Sequence, residues 1–345
     1  MQLFTAENKA SFQVSSSPLS IAILGMLTVG GSASAFAQDK INLSIAHVGT
    51  NPSHHFHYGF DQFAKILNDS CDNQFNVVIH QGTMGGQRES IELVQEGVLD
   101  MTSSSLSVLG NFGGSTGVFD LPYLFADREQ AYRALDSKIG KEVAEPLKDS
   151  GLRLISYWEN GFRNVTNNRG PIETPNDLKD LSIRVPESNV YVETFEALGA
   201  NPTTISFSEV FSALQQGVID AQENPYGNIW DANLYEVQDY LSETQHVYAG
   251  NGVVINNDRF MSLDKDIQKC IIDAASQAKD LQRKYVQDQE SELRSKLIEQ
   301  GMKINKVKDI NTFIEKAEGA YEASFYETYG KDLIERIRAV ARGEA

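Results

Sequence analysis

The sequence encodes an α/β protein of two domains, with mostly parallel sheets and one helix long enough to touch both. Three features point there. Strand-like and helix-like segments alternate along the chain, the pattern of βα units. A helix–glycine–strand unit occurs twice, as Leu93-Val94-Gln95-Glu96-Gly97-Val98-Leu99-Asp100 and as Ala213-Leu214-Gln215-Gln216-Gly217-Val218-Ile219-Asp220. A single helical period runs from about Asp264 to Gln300. The 345 residues suit about two domains. A chain of that length needs neither disulfide nor metal to hold a core.

The elements follow in order. Residues 18–31 hold an apolar run, Leu19 to Leu27, followed by small residues and Ala35-Phe36-Ala37. This reads as an export leader cleaved after Ala37, too short to span a bilayer as a stable helix. Ile41, Leu43, Ile45 and His47 share one face of a first strand. Asn51-Pro52-Ser53 is turn chemistry that opens a helix to about Asn68. A second strand spans Phe75 to His80, a helix runs from about Gln87 to Glu96, and a buried strand follows at Val98 to Ser103. Gly97 and Gly217 stand where the residue after a helix takes positive φ. Thr174-Pro175-Asn176-Asp177 is an N-cap with proline at the first helical position. Leu181 to Pro186 is a short strand containing Arg184. Ser206-Phe207-Ser208-Glu209 fits a capping box that opens a helix to Gln216. The run from Asp264 would reach ~55 Å at 1.5 Å per residue, and Gly301 stops it. Asn311 to Arg342 is a further amphipathic helical region.

Composition excludes several function classes. The net charge is −17, whereas a nucleic-acid binder needs a basic surface to neutralise phosphates. Such a charge is ordinarily a well-solvated surface. It also means that a pocket for an anion needs its own local positive charge, which draws attention to strand arginines. His54, His55 and His57 cluster, but without a HExxH or paired CxxC spacing they read as a turn leading into a helix. The glycine-rich stretches at 82–86 and 110–114 lack both the P-loop lysine and the dinucleotide spacing, so both are loops. No nucleophile elbow is present. Neither a cofactor nor a metal is expected. Cys71 and Cys270 are too few for a framework; export would allow them to pair, and the sequence leaves the pairing open.

Arg163 follows a strand and a turn, and Arg184 interrupts an apolar strand. An arginine in such a place is usually an edge residue or half of a structural ion pair. The alternative is a ligand-facing guanidinium, whose planar fork suits a carboxylate.

With these residues in place, the chain resembles the solute-binding subunits of tripartite ATP-independent periplasmic (TRAP) transporters over nearly all of its length beyond the leader. The marks are Phe119-Asp120-Leu121-Pro122-Tyr123-Leu124-Phe125, Trp158-Glu159-Asn160-Gly161-Phe162-Arg163 and Thr174-Pro175-Asn176-Asp177-Leu178-Lys179. Ile183-Arg184-Val185-Pro186, Gly199-Ala200-Asn201-Pro202 and the run from Gly217 to Pro225 complete them. Each is weak alone; their order and spacing make the set specific.

The resemblance implies a two-domain periplasmic binding protein whose central cleft closes on a ligand, with the long helix spanning both domains. The domains are expected at 38–160 with 250–289 and at 161–249 with 290–345. The protein is expected to be a periplasmic monomer, not an enzyme, that captures a small organic carboxylate for the small and large integral-membrane subunits of a sodium-coupled permease. Carried over by position, Arg184 is the main carboxylate ligand and Arg163 the second positive group. Asn224 hydrogen-bonds the same end of the ligand, and Phe207 packs on it. His47 and Asn251 reach it from the first domain, Ser104 and Ser105 line the pocket, and His55 lies in a segment that tunes specificity. Independently, ligands of open α/β sheets bind beyond the carboxyl ends of strands. His47, Ser104 and Asn224 are expected at such ends. Ser104 and Asn224 each fall four residues after the aspartate of the repeated unit, so they should face each other across one cleft. A sugar acid, hexuronate or aldonate-like, is the best reading of the ligand. C4-dicarboxylates, sialic acid, keto acids and ectoine are the alternatives, as is a sensor module of the same fold that presents its ligand to a receptor.

Overall fold

A computed structural model describes residues 40–344; the leader expected over residues 1–37 lies outside them. Its strands in chain order are β1 (Ile41–His47), β2 (Phe75–Gln81), β3 (Met101–Ser105), β4 (Leu152–Phe162), β5 (Asn164–Asn167) and β6 (Ser182–Val185). They continue with β7 (Asn201–Thr204), β8 (Ala221–Asn224), β9 (Tyr240–Glu243), β10 (Tyr248–Asn256) and β11 (Lys303–Lys306). Four helices matter below: α1 (His55–Ser70), α2 (Gln87–Gln95), α3 (Val210–Gln215) and α4 (Lys265–Glu299).

The strands form two sheets, ordered β2-β1-β3-β10-β4 and β11-β9-β5-β8-β6-β7. Five of the nine pairings are parallel, so each sheet is mixed. The antiparallel pairs have one cause. The chain passes directly from β4 to β5 through the single residue Arg163, and returns from β9 to β10 through residues 244–247. A strand that arrives without a crossover helix runs against its neighbours. β10 is accordingly antiparallel to β3 and β4, and β5 to β8 and β9. Arg163 donates its backbone N–H to Val247 O at 2.9 Å, so the two crossing segments are tied where they pass.

The repeated unit is realised in both sheets. Gly97 has φ +72° and Gly217 φ +69°. Val98 N–H then bonds back to Leu93 O, and Val218 N–H to Ala213 O, both at 2.9 Å. These backward bonds consume the residues at which the second strand of each unit was expected to begin. Val98 is therefore 59% and Val218 63% exposed rather than buried, and the strand placed at Val98 to Ser103 runs instead from Met101 to Ser105. The correspondence continues. Asp100 N–H bonds Ser44 O and Asp220 N–H bonds Ser182 O, each at 2.9 Å. Each aspartate is also held by an arginine, Asp100 by Arg259 at 3.2 Å and Asp220 by Arg169 at 2.6 Å.

A second local expectation fails at Ser206. Its hydroxyl lies 3.2 Å from Ser208 Oγ and caps no helix N–H. Residues 207–209 form a 3-10 turn, and α3 starts only at Val210. The C-terminal helical region is broken by a π-turn at Tyr321–Phe325 and by Gly330 at φ +81°.

The long helix α4 touches both cores. Ile271, Ala274, Ala275 and Ala278 pack with Phe56, Phe60 and Phe63 of α1 and with Trp158 of β4. Farther along, Leu297 and Leu293 join Val210, Ile229 and Leu241 beside the second sheet. At 1.5 Å per residue its 35 residues span ~52 Å. A Cys71–Cys270 disulfide, with Cα atoms 6.3 Å apart, joins the end of α1 to the start of α4.

Candidate functional site

The carboxyl ends of β3, β6 and β8 converge between the two sheets, where open α/β folds place ligands. A narrow pocket of about 10 Å³, room for about one water molecule, lies there. The walls meet around it. Asp231 Oδ2 accepts Thr50 N–H at 3.2 Å, and Asn111 Nδ2 donates to Glu187 O at 2.7 Å. Gly86, before α2, comes so close to Ser206 that a Cβ there would overlap the hydroxyl.

Five of the nine residues expected at the site line this cavity: Arg184, Arg163, Asn224, Phe207 and Ser105. Two more stand one hydrogen bond behind its wall. Ser104 Oγ donates to the lining residue Gln87 at 2.6 Å, and His55 Nε2 lies 3.1 Å from Oδ1 of the lining residue Asn160. His47 is buried beside the cavity and engaged elsewhere, with Nε2 3.2 Å from His57 Nδ1 and Nδ1 accepting Gly49 N–H. Asn251 is buried in β10, opposite Ser105 and Trp158, and is not part of the lining.

The two arginines are electrostatically unlike. Arg163 is ion-paired in a fork with Glu223, Nε to Oε2 at 2.5 Å and Nη2 to Oε1 at 2.7 Å, and Nη2 also reaches Glu223 O at 2.7 Å. His246 Nε2 lies 2.9 Å from the same carboxylate. Burial works against the Glu223 charge, but Arg163 and His246 hold its carboxyl below the usual range. Arg184 has no such partner. It is 3% exposed, and its hydrogen bond is Nε to Ile205 O at 2.7 Å. No carboxylate of the described residues lies within ion-pair distance of it. Burial lowers its pKa to about 10, against the attraction of Glu223 and with the weaker repulsion of Arg163. A buried guanidinium with an open fork is an anion receptor.

Asn224 is positioned rather than free. Its Oδ1 accepts Arg163 Nη2 at 3.3 Å and Asn228 Nδ2 at 2.9 Å, and its Nδ2 donates to Gln222 Oε1 at 2.6 Å. Phe207 contributes an apolar ring from the first position of its 3-10 turn. The sequence reading missed Gln87, Asn160, Asn228 and Glu223. Only Glu223 carried a signal: a carboxylate within a buried strand needs a cation, which the sequence does not identify.

A larger cavity of about 100 Å³ lies on the far side of His55 and Asn160. Its arginine, Arg128, is already shared between Glu159 and Glu290. The smaller cavity, with an unclaimed cation, is the better anion site.

The histidines beside the cavity are buried as neutral rings. Burial, with repulsion from His47, lowers the His55 pKa to about 3 against a weaker opposing bond to Asn160. Burial and the neighbouring histidines likewise lower His47 to about 3. Between pH 6.5 and 3 the unfolded chain therefore binds protons that the folded one refuses. This contribution to stability is present above pH 6.5 and is lost as pH falls towards 3. Substituting His55 by Gln should flatten the pH dependence of unfolding in that window by up to ~1.4 kcal/mol per pH unit relative to the parent. Parallel denaturation curves from pH 7 to pH 5 check this, and identical slopes would refute it.

Residues 45–328 match the family model DctP, described as bacterial extracellular solute-binding protein, family 7. The 2,3-diketo-L-gulonate-binding periplasmic protein YiaO of Escherichia coli is 34% identical over 249 residues, 72% of this chain and 76% of its own length. A TRAP periplasmic solute-binding protein of Polaromonas, solved with D-erythronate, is 32% identical, covers 87% of this chain and 99% of its own, and superposes with a TM-score of 0.84. The sugar acid binding protein DctPAm of Advenella mimigardefordensis, in complex with galactonate, is 28% identical, covers 89% and 99%, and gives a TM-score of 0.85.

Proposed function

The chain belongs to the DctP family, family 7 of the bacterial extracellular solute-binding proteins, and on that premise we propose that it captures a sugar acid of the aldonate or hexuronate kind for a sodium-coupled TRAP permease. The family makes it the solute-binding component of a transporter, not an enzyme. In this reading it works as a periplasmic monomer, released from its leader after Ala37, and delivers its ligand to the small and large membrane subunits. Its halves are residues 38–160 with 250–289 and residues 161–249 with 290–345, and its ligand sits between them.

The observation that carries the reading is Arg184. A buried guanidinium without an ion-paired carboxylate, on the wall of this narrow pocket, is stabilised by an anion entering its fork. Beside the two arginines, the polar wall is made of amide and hydroxyl groups, at Gln87, Ser105, Asn160, Asn224 and Asn228. They suit a ligand with several hydroxyls. The named relatives add support: one binds a diketo-gulonate, one was solved with erythronate and one with galactonate.

A thermal-unfolding panel tests the proposal with galactonate, gluconate, glucuronate and galacturonate against succinate and pyruvate. A ligand at 100 times its Kd stabilises the folded state by ~2.7 kcal/mol, a rise of several degrees. At least one sugar acid should give that rise. A rise with succinate or pyruvate alone would overturn the sugar-acid reading and leave carboxylate capture standing.

A further inference from the structure

Gln87 is the first residue of α2, and its side-chain amide has one orientation only. Its Oε1 lies 2.8 Å from Ser105 N, 2.9 Å from Ser105 Oγ and 2.6 Å from Ser104 Oγ. A backbone N–H can only donate, so the atom facing it must be the carbonyl oxygen. The two hydroxyls can reach that oxygen only by donating their hydrogens to it. The carbonyl is then saturated. The amide nitrogen Nε2 points away from these donors and takes part in none of the hydrogen bonds among the described residues. Gln87 is half-buried, and it lines the same cavity as Arg184.

Ser105 shares that wall and is 2% exposed. With its hydrogen spent on Gln87, its oxygen keeps only acceptor capacity. Gln87 and Ser105 thus set a donor and an acceptor side by side. That combination fits a group that can accept and donate at once. A hydroxyl does so. A carbonyl or carboxylate oxygen uses the donor and leaves the acceptor unmatched, and a methylene uses neither.

Resting on the proposed capture of a carboxylate at Arg184, we infer that Gln87 and Ser105 form a hydroxyl-reading couple that selects a hydroxylated acid over a plain dicarboxylate or keto acid. Ser104 is a positioning residue in this couple: it helps to fix the amide without lining the cavity. A site built to bond a hydroxyl discriminates strongly against an analogue lacking it, because its own polar groups are then stranded.

Calorimetric titration of the purified chain with galactonate, glucuronate and succinate tests this in wild type, Gln87→Met, Gln87→Glu and Ser105→Ala. Gln87→Met should weaken the sugar acid that wild type binds by about 10- to 100-fold and leave succinate within about 3-fold. Gln87→Glu keeps an oxygen for all three serine donors, so it should fold like wild type. It puts a second carboxylate oxygen where Nε2 stood, so it should weaken every acid, the anion being repelled. Ser105→Ala should reduce the preference for the sugar acid over succinate. Equal losses for sugar acid and succinate in Gln87→Met, or no loss, would overturn the couple while the capture of sugar acids stood. Wild type that binds succinate but neither sugar acid would overturn both. Should Gln87→Met fail to fold, wild-type affinity for galactonate against its preference over succinate in Ser105→Ala decides the matter, and an unchanged preference overturns the couple.

Discussion

Arg184→Met is expected to weaken carboxylate binding by at least about 100-fold while raising the unfolding temperature of the ligand-free protein. Both effects come from one fact. The guanidinium is buried, keeps one hydrogen bond to Ile205 O, and feels Glu223 only at a distance, that carboxylate being paired with Arg163. Without ligand it is a buried charge held at a cost; methionine keeps most of the volume and removes that cost. With ligand, the fork and the carboxylate form a desolvated pair. Removing one partner of such a pair costs about 3–5 kcal/mol, roughly 10² to 5 × 10³ in affinity. Calorimetry gives the affinity and thermal unfolding gives the stability. A variant that binds as tightly as its parent would remove Arg184 from the site. A variant with a lower unfolding temperature would show that its charge is satisfied in the ligand-free protein.

Glu223→Gln should act in the opposite sense on the ligand-free protein, with a loss of about 3–5 kcal/mol. The Glu223 carboxylate holds Arg163 in a fork and accepts a bond from His246, all three side chains being buried. Glutamine preserves the shape and deletes the charge. Arg163 and Arg184 then both lose a carboxylate that favours their charges. The midpoint of urea unfolding should fall sharply. The double variant Glu223→Gln, Arg163→Met should recover a large part of the loss, because the stranded cation is gone. An unchanged midpoint in the single variant, or no recovery in the double one, would show that the pair is not what holds this region.

The two variants also separate what the sequence could say from what it could not. Arg184 drew attention because an arginine between Ile183 and Val185 breaks an apolar strand, a pattern that fits a structural ion pair equally well. The engagement of Arg163 was not, since its partner lies 60 residues away on β8 and meets it only when β5 and β8 pair. Helix α4 was legible almost to the residue, because its apolar positions keep one period and Gly301 ends it. The beginnings of β3 and β8 were misjudged because a backward bond after a left-handed glycine is a three-dimensional fact. Gln87 gave no sign at all. A polar residue at the start of a helix looks like any solvated one until the end of β3 brings two serines and an amide N–H against it. The Cys71–Cys270 bridge, spanning 199 residues, was left open for the same reason.

The doubled unit that places Met101 after Asp100 and Ala221 after Asp220 bears on how such a protein changes over generations. In both halves the main chain fixes how deep the following positions sit: a glycine, a backward bond, and an aspartate whose N–H is tied to the adjacent strand. None of these depends on which side chain comes next. Depth is inherited from the backbone, and chemistry from single codons. A descendant can therefore exchange Ser105 or Asn224 for another residue without rebuilding the strand ends that carry them.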